Sequence, residues 1–175
     1  MGLDPAKFTI VDAKTDIEAA NVAVDLINAG EGDFLMKGLL STDRYMKAIL
    51  NKERGLMNGG AVLSHVTVAE PKTYHKLLIF GDVAIIPEPD LKQKIAICNY
   101  LIRTAHLLGI QEPKLGILGP SEQVLPKIKS SFEASILAKM AHRGQIKGAL
   151  VEGPLGMDLI IDKESARIKG VESAV

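Results

Sequence analysis

Tryptophan is absent from the 175-residue chain, aromatic residues make up 4% of it, and cysteine occurs once. So few aromatics leave little surface on which single-stranded nucleic acid could stack its bases. Charge of one sign is also missing: 21 Lys and Arg balance 21 Asp and Glu. No net field steers the chain toward nucleic acid or an anionic membrane. Cys98 stands alone, which excludes an intramolecular disulfide and a multi-cysteine zinc site. Its neighbours Ile95, Ile97 and Leu101 make it a small buried hydrophobe rather than a nucleophile, and a reducing compartment fits. Long hydrophobic runs are missing too. The longest stretch free of Lys, Arg, Asp and Glu is residues 55–69, which Gly59 and Gly60 interrupt. It falls short of the roughly 20 residues that a membrane span needs. The opening residues Met1 to Ala6 have neither a basic nor an apolar leader segment, and Ala6 stands where a myristoylation site wants Ser or Thr. A cytoplasmic protein with no membrane and no nucleic-acid partner is expected.

What is present is ordinary for a folded domain: 47% apolar and 24% charged residues. Ile17, Ala20, Val24 and Ile27 fall at helical spacing, with Gly30 as the stop. Residues 33–36 read as a short buried strand. A helix capped by Ser41 or Thr42 follows, carrying Met46, Ile49 and Leu50 and ending near Gly55. Residues 61–69 and 76–80 read as strands. Leu91, Ile95, Cys98, Leu101, Ile102, Ala105 and Leu108 mark one long amphipathic helix, stopped by Gly109. A strand over 114–118, a helix carrying Phe132, Ile136, Leu137 and Met140, and a strand over 148–151 complete the pattern. Such alternation predicts an α/β fold, a mostly parallel sheet with helices on both faces. The whole of 1–175 reads as one α/β unit. A lobe boundary is expected near 80–90, where Pro87, Pro89 and an acidic loop intervene, with a cleft between 1–80 and 90–175.

In such folds ligands gather beyond the carboxyl ends of the strands. That singles out residues 37–42, 81–82, 119–122 and 153–158. Lys37, Gly38, Ser41 and Thr42 place a cation, a permissive backbone and two hydroxyls at a helix start. Free N–H groups and the helix dipole favour an anion there. The same residues also read simply as a cap beside a solvated lysine. The order of a P-loop is absent, and so is the Gly-x-Gly-x-x-Gly dinucleotide fingerprint. Ser64 and His65 are sequence neighbours on a strand and point to opposite faces, which excludes a catalytic dyad between them. His65 reads as a paired structural histidine. Asp82, Glu88 and Asp90 form an acidic loop, read as a solvated turn, and no metal is expected. Lys139, His142, Arg143 and Lys147 cluster before the last strand. They suit either the phosphates of a bulky anion or the carbonyl end of a helix.

Taken together, four ordered segments resemble the phosphate acetyl/butyryltransferase family, and its butyryl branch in particular. They are Leu35 to Thr42 (LMKGLLST), Val62 to Val66 (VLSHV), Lys139 to Gly148 (KMAHRGQIKG), and Val151 to Leu155 (VEGPL) with the Asp158 that follows. The resemblance implies the isocitrate/isopropylmalate dehydrogenase-like fold and transfer of a short acyl group between coenzyme A and inorganic phosphate. Acyl-CoA and phosphate would be the substrates, with no permanently bound cofactor, and the protein a homo-oligomer. Applied to this chain, it implies phosphate contacts from Lys37, Gly38, Ser41 and Thr42, and contacts to the CoA phosphates from Lys139, Arg143 and Lys147. Ser64, His65, Asp82, Gly153 and Asp158 would line the cleft. Two departures stand out. Ala61 replaces the arginine that precedes the family's VLSH segment, and the family's late Ser-Arg and Asp have no counterpart before Val175. The chain is therefore expected to be truncated at both ends relative to the family. A non-catalytic module that binds CoA or phosphate is the alternative reading.

Overall fold

The computed structural model describes residues 4–57 and 59–175. The chain divides into two compact units, residues 1–61 and 62–175. Residues 80–90, where a lobe boundary is expected, lie inside the second unit.

The first unit is helical. A 3-10 turn at Pro5–Lys7 precedes α1 (Asp16–Asn28) and α2 (Thr42–Ile49). Thr15 starts α1, its side chain accepting from the Glu18 N–H, and Gly30 takes a φ of 76° just past the end. That left-handed residue is where glycine costs least. Ala20 and Val24 of α1 pack on Ala48 of α2, with Leu35, Leu40, Ile49 and Leu56 around them. Salt bridges from Arg44 to Asp16 (2.7 Å) and from Arg54 to Asp25 tie the same elements together at the surface. The expected strand over 33–36 is not formed. Phe34 and Met36 are 76% and 82% exposed, and the run has no strand partner among the described residues. An apolar run alone does not make a strand when no neighbour satisfies its backbone groups.

The second unit carries the four strands found among the described residues. β1 (Thr67–Ala69) pairs antiparallel with β2 (Leu78–Phe80), and both are shorter than the 61–69 and 76–80 runs suggest. α3 (Leu91–Leu107) leads to β3 (Lys114–Leu118), and α4 (Lys129–His142) leads to β4 (Leu150–Leu155). β3 and β4 run parallel, Leu115 opposite Val151 and Leu118 opposite Leu155. The described residues thus form two two-stranded sheets, one antiparallel and one parallel, where one mostly parallel sheet is expected. Two short helices, α5 (Met157–Ile161) and α6 (Lys163–Lys169), close the unit. Neither stands out in the sequence, because five and seven residues are too few to show a helical period.

The core joins α3 and α4 to the parallel pair. Cys98, Ile102, Leu137 and Ile146 are its buried centre, with Leu115, Ile117 and Val151 packed against them. α3 begins with a capping box, Asp90 accepting from the Gln93 N–H while the Gln93 side chain accepts from the Asp90 N–H. α4 follows a different logic. Ser131 is fully buried, accepts from the Leu125 N–H (2.8 Å) and donates to the Gln123 carbonyl (2.9 Å). It pins the loop after β3 onto the helix. Phe132, expected on the apolar stripe, is 48% exposed, while Glu133 turns inward to meet Lys94 of α3 at 2.6 Å.

Leu137 is 1% exposed at the centre of this core. Leu137→Ala is expected to lower unfolding stability by about 2–5 kcal/mol. The shift of the urea midpoint at unchanged slope measures it.

Candidate functional site

Asp82 is the best-organised polar group that the structure offers. It follows β2 directly, after Gly81. A Cβ on Gly81 would lie 2.5 Å from the His65 carbonyl oxygen, so the turn comes this close to residues 62–66 only with glycine there. The carboxylate then collects four donors. One oxygen accepts from the Ser64 hydroxyl (3.0 Å) and the His65 N–H (3.1 Å), the other from the N–H groups of Ala84 (2.8 Å) and Ile85 (2.9 Å). Burial by itself pushes the carboxyl up. The Ile85, Ala84 and His65 amides and the Ser64 hydroxyl outweigh it and hold the pKa at about 2. The His65 ring approaches the Thr67 hydroxyl at 3.3 Å. The structure therefore brings Ser64, His65 and Asp82 together. It does so as a carboxylate that fixes two backbone segments, with the Ser64 hydroxyl committed to that carboxylate.

A second group forms where β3 and β4 end. Because the strands are parallel, their carboxyl ends lie side by side, and the Gly119 N–H donates to the Leu155 carbonyl at 3.0 Å. Gly153 lies inside β4 rather than in the loop after it. A Cβ there would meet the Ile117 Cβ at 2.7 Å, and one on Gly119 would meet the Pro154 Cβ at 2.5 Å. These glycines let the two strand ends close. Asp158, in α5, pairs with Lys169 of α6 at 2.8 Å, and that lysine's hydrogen bond lowers its pKa.

The remaining expected residues are elsewhere. In the first unit, Ser41 caps α2 by accepting from the Arg44 N–H, Thr42 is the first helical residue, and the Lys37 ammonium donates to the Leu40 carbonyl at 3.1 Å. Gly38 lies in the bend before them, and all four are exposed. Lys139, Arg143 and Lys147 are exposed at the end of α4, and Lys139 lies 3.5 Å from the His142 ring. α4 leads back to the start of β4. The basic cluster therefore sits at the opposite end of the parallel pair from Asp158, a strand's length away. His106 of α3 is at that same far end, its ring 2.8 Å from the Gly148 carbonyl.

Sequence reasoning missed the ion pair of Lys94 and Glu133, whose side chains are only 20% and 12% exposed. The signal was weak but present: Glu133 interrupts an apolar stripe. The acidic loop resolves into separate tasks. Asp82 holds its turn, Asp90 caps α3, and Glu88 pairs with Lys129 at 3.0 Å. Among the described residues no cluster of three or more His, Cys, Asp or Glu side chains is arranged to hold a metal. Burial pushes the Cys98 thiol up to about 11, against weaker downward pulls from its own backbone and Lys94. A thiol so placed is inert as a nucleophile at neutral pH.

Residues 3–175 match the family described as "Phosphate acetyl/butaryl transferase". The chain belongs to that family. A phosphate butyryltransferase of Clostridium acetobutylicum is 41% identical over 100% of this chain and 58% of its own length. A phosphate acetyltransferase of Thermotoga maritima is 38% identical over 95% of this chain and 56% of its own. The crystal structure of a branched-chain phosphotransacylase from Enterococcus faecalis superposes with a TM-score of 0.85 at 29% identity, covering 100% of this chain and 62% of that one. This α/β fold is thus similar to that of a phosphotransacylase. The chain spans a little over half the length of the curated relatives it matches.

The Asp82 turn gives a pH prediction. Its folded pKa of about 2 lies below the roughly 3.9 of a free aspartate. The stabilisation is therefore fully present above about pH 4 and is lost as pH falls toward 2. Asp82→Asn is expected to cost about 1–3 kcal/mol at neutral pH. In denaturant titrations, the gap between wild type and variant should narrow steadily below about pH 4.

Proposed function

We propose that this chain carries the acyl-transfer chemistry of its family, moving a short acyl group between coenzyme A and inorganic phosphate. The observation that carries this reading is the 41% identity to a phosphate butyryltransferase along the whole chain. In the reaction, a phosphate oxygen attacks the thioester carbonyl carbon, a C–O bond forms and the C–S bond breaks. Acyl phosphate results, and CoA leaves as thiolate and takes a proton. The protein's task is to bring two anions together and to stabilise the leaving sulfur.

The start of α2 supplies the chemistry for the phosphate. The helix N-terminus turns free N–H groups outward, beside the Lys37 cation, the flexible backbone of Gly38 and the hydroxyls of Ser41 and Thr42. On the second unit, Ser64, His65 and Asp82 would line the substrate cleft, with Gly153 and Asp158 at the ends of the parallel strands. Lys139, Arg143 and Lys147 would meet the phosphates of CoA, whose nucleotide lies far from its thiol. That agrees with a basic cluster placed away from Asp158. The two strand pairs would belong to one mostly parallel sheet of the isocitrate/isopropylmalate dehydrogenase-like kind. The protein would act as a cytoplasmic homo-oligomer, with CoA as substrate and not as a resident cofactor.

Incubation of the 175-residue chain with butyryl-CoA is expected to release thiol only when phosphate is present. Lys37→Ala should lower kcat/KM on the order of 10²-fold, the scale for losing one positioned electrostatic partner of the transition state. Arg143→Ala should raise KM for CoA and leave kcat nearly unchanged. CoA binding with no phosphate-dependent thiol release would overturn the enzymatic reading and leave a binding module.

A further inference from the structure

The cations where α4 turns into β4 are not neutralised by the protein. Among the described residues, Lys139, Arg143 and Lys147 form no salt bridge, whereas Lys94, Lys129 and Lys169 each meet a carboxylate. Lys139 and Arg143 are four residues apart at the end of α4, so the helix itself sets their spacing. Lys147 belongs to the connection that follows, where no regular element fixes it. Contacts on either side of it do. Ile146 before it is 2% exposed and packs with Cys98, Ile102 and Leu137. Gly148 after it has its carbonyl 2.8 Å from Nε2 of His106, in the last turn of α3.

This second contact is demanding on both partners. Gly148 takes a φ of 86°, and a Cβ there would lie 2.9 Å from His106 Nε2 and 3.3 Å from Ile102 Cγ2. Only glycine lets the backbone come this close in that conformation. A carbonyl accepts and does not donate, so the bond requires the His106 hydrogen on Nε2. The ring is exposed, so it fills no core space, and this bond is what it contributes. We propose that His106 is a positioning residue for coenzyme A. Through the Gly148 carbonyl it fixes the backbone that carries Lys147, and so the placement of that ammonium relative to Lys139 and Arg143. The proposal rests on the reading that these three cations meet the CoA phosphates, and it adds the group that prearranges them.

Calorimetric titration of the full 175-residue chain with CoA tests this. His106→Ala should weaken CoA binding about fivefold, the scale for one hydrogen bond, with helix content unchanged by circular dichroism. His106→Gln, whose amide nitrogen can take the place of Nε2, should bind within about twofold of wild type. In a Lys147→Ala background the same His106→Ala change should cost less than about twofold, because the residue it acts through is gone. Should His106→Ala lose helix content, His106→Leu compared with His106→Gln takes its place. Undiminished CoA binding by a folded His106→Ala chain would overturn the proposal. So would an equal loss in the Lys147→Ala background, or failure of glutamine to restore binding, since either would make the contact merely structural. A wild-type chain with no affinity for CoA would overturn the reading of the basic cluster, and this proposal with it.

Discussion

The packing of α4 against the β3–β4 pair is the constraint from which most of the second unit follows. A parallel pair cannot be joined by a tight hairpin, so the chain must leave β3, cross over through a helix and return. Leu137 and Ile146 bury themselves on that crossover, and Cys98 and Ile102 of α3 meet them from beside. Once this layer is closed, the strand ends are fixed side by side, and Gly119 and Gly153 must be small for them to approach. The polar groups drawn into the layer have to be paired. Ser131 bridges two backbone groups of the loop before α4, and Glu133 meets Lys94. Such a pair adds little net stability, because desolvation offsets the attraction, but removal of one partner would strand a charge.

The same layer explains why the polar sites are dispersed. Helices and strands alternate in direction, so the basic end of α4 returns to the start of β4 while Asp158 follows its end. Lysine and arginine at a helix C-terminus are favourable there whatever they bind, since they face unpaired carbonyls. Asp82 shows the opposite economy. A single carboxylate satisfies amides from two segments, and its charge is held by those amides rather than by a cation.

Much of the fold was legible in the residues. The spacing from Leu91 to Leu108 and the stop at Gly109 marked α3 to within a residue, and the apolar run of 114–118 coincides with β3. Both segments carry their signal locally, in period and punctuation. The run at 33–36 misled because apolar content does not supply a partner strand. β1 and β2 are shorter than their β-branched stretches, since a strand extends only as far as its neighbour does. Phe132 and Glu133 exchanged expected roles, exposed against buried, because Lys94 waits on a helix far away in sequence.

By itself, the sequence determined the family, through four ordered segments, and the chemistry available: hydroxyls and a lysine at a helix start, a lone cysteine without reactivity, and no net charge to draw nucleic acid. Those are properties of residue type and near spacing, which survive in the unfolded chain. Only the tertiary structure decided that Ser64, His65 and Asp82 meet, and that Lys139, Arg143 and Lys147 lie at the end of β4 opposite Asp158. It also decided that, among the described residues, β2 pairs only with β1 and β3 only with β4. Hydrogen-bond partners and strand neighbours are relations between distant segments, and no local period encodes them.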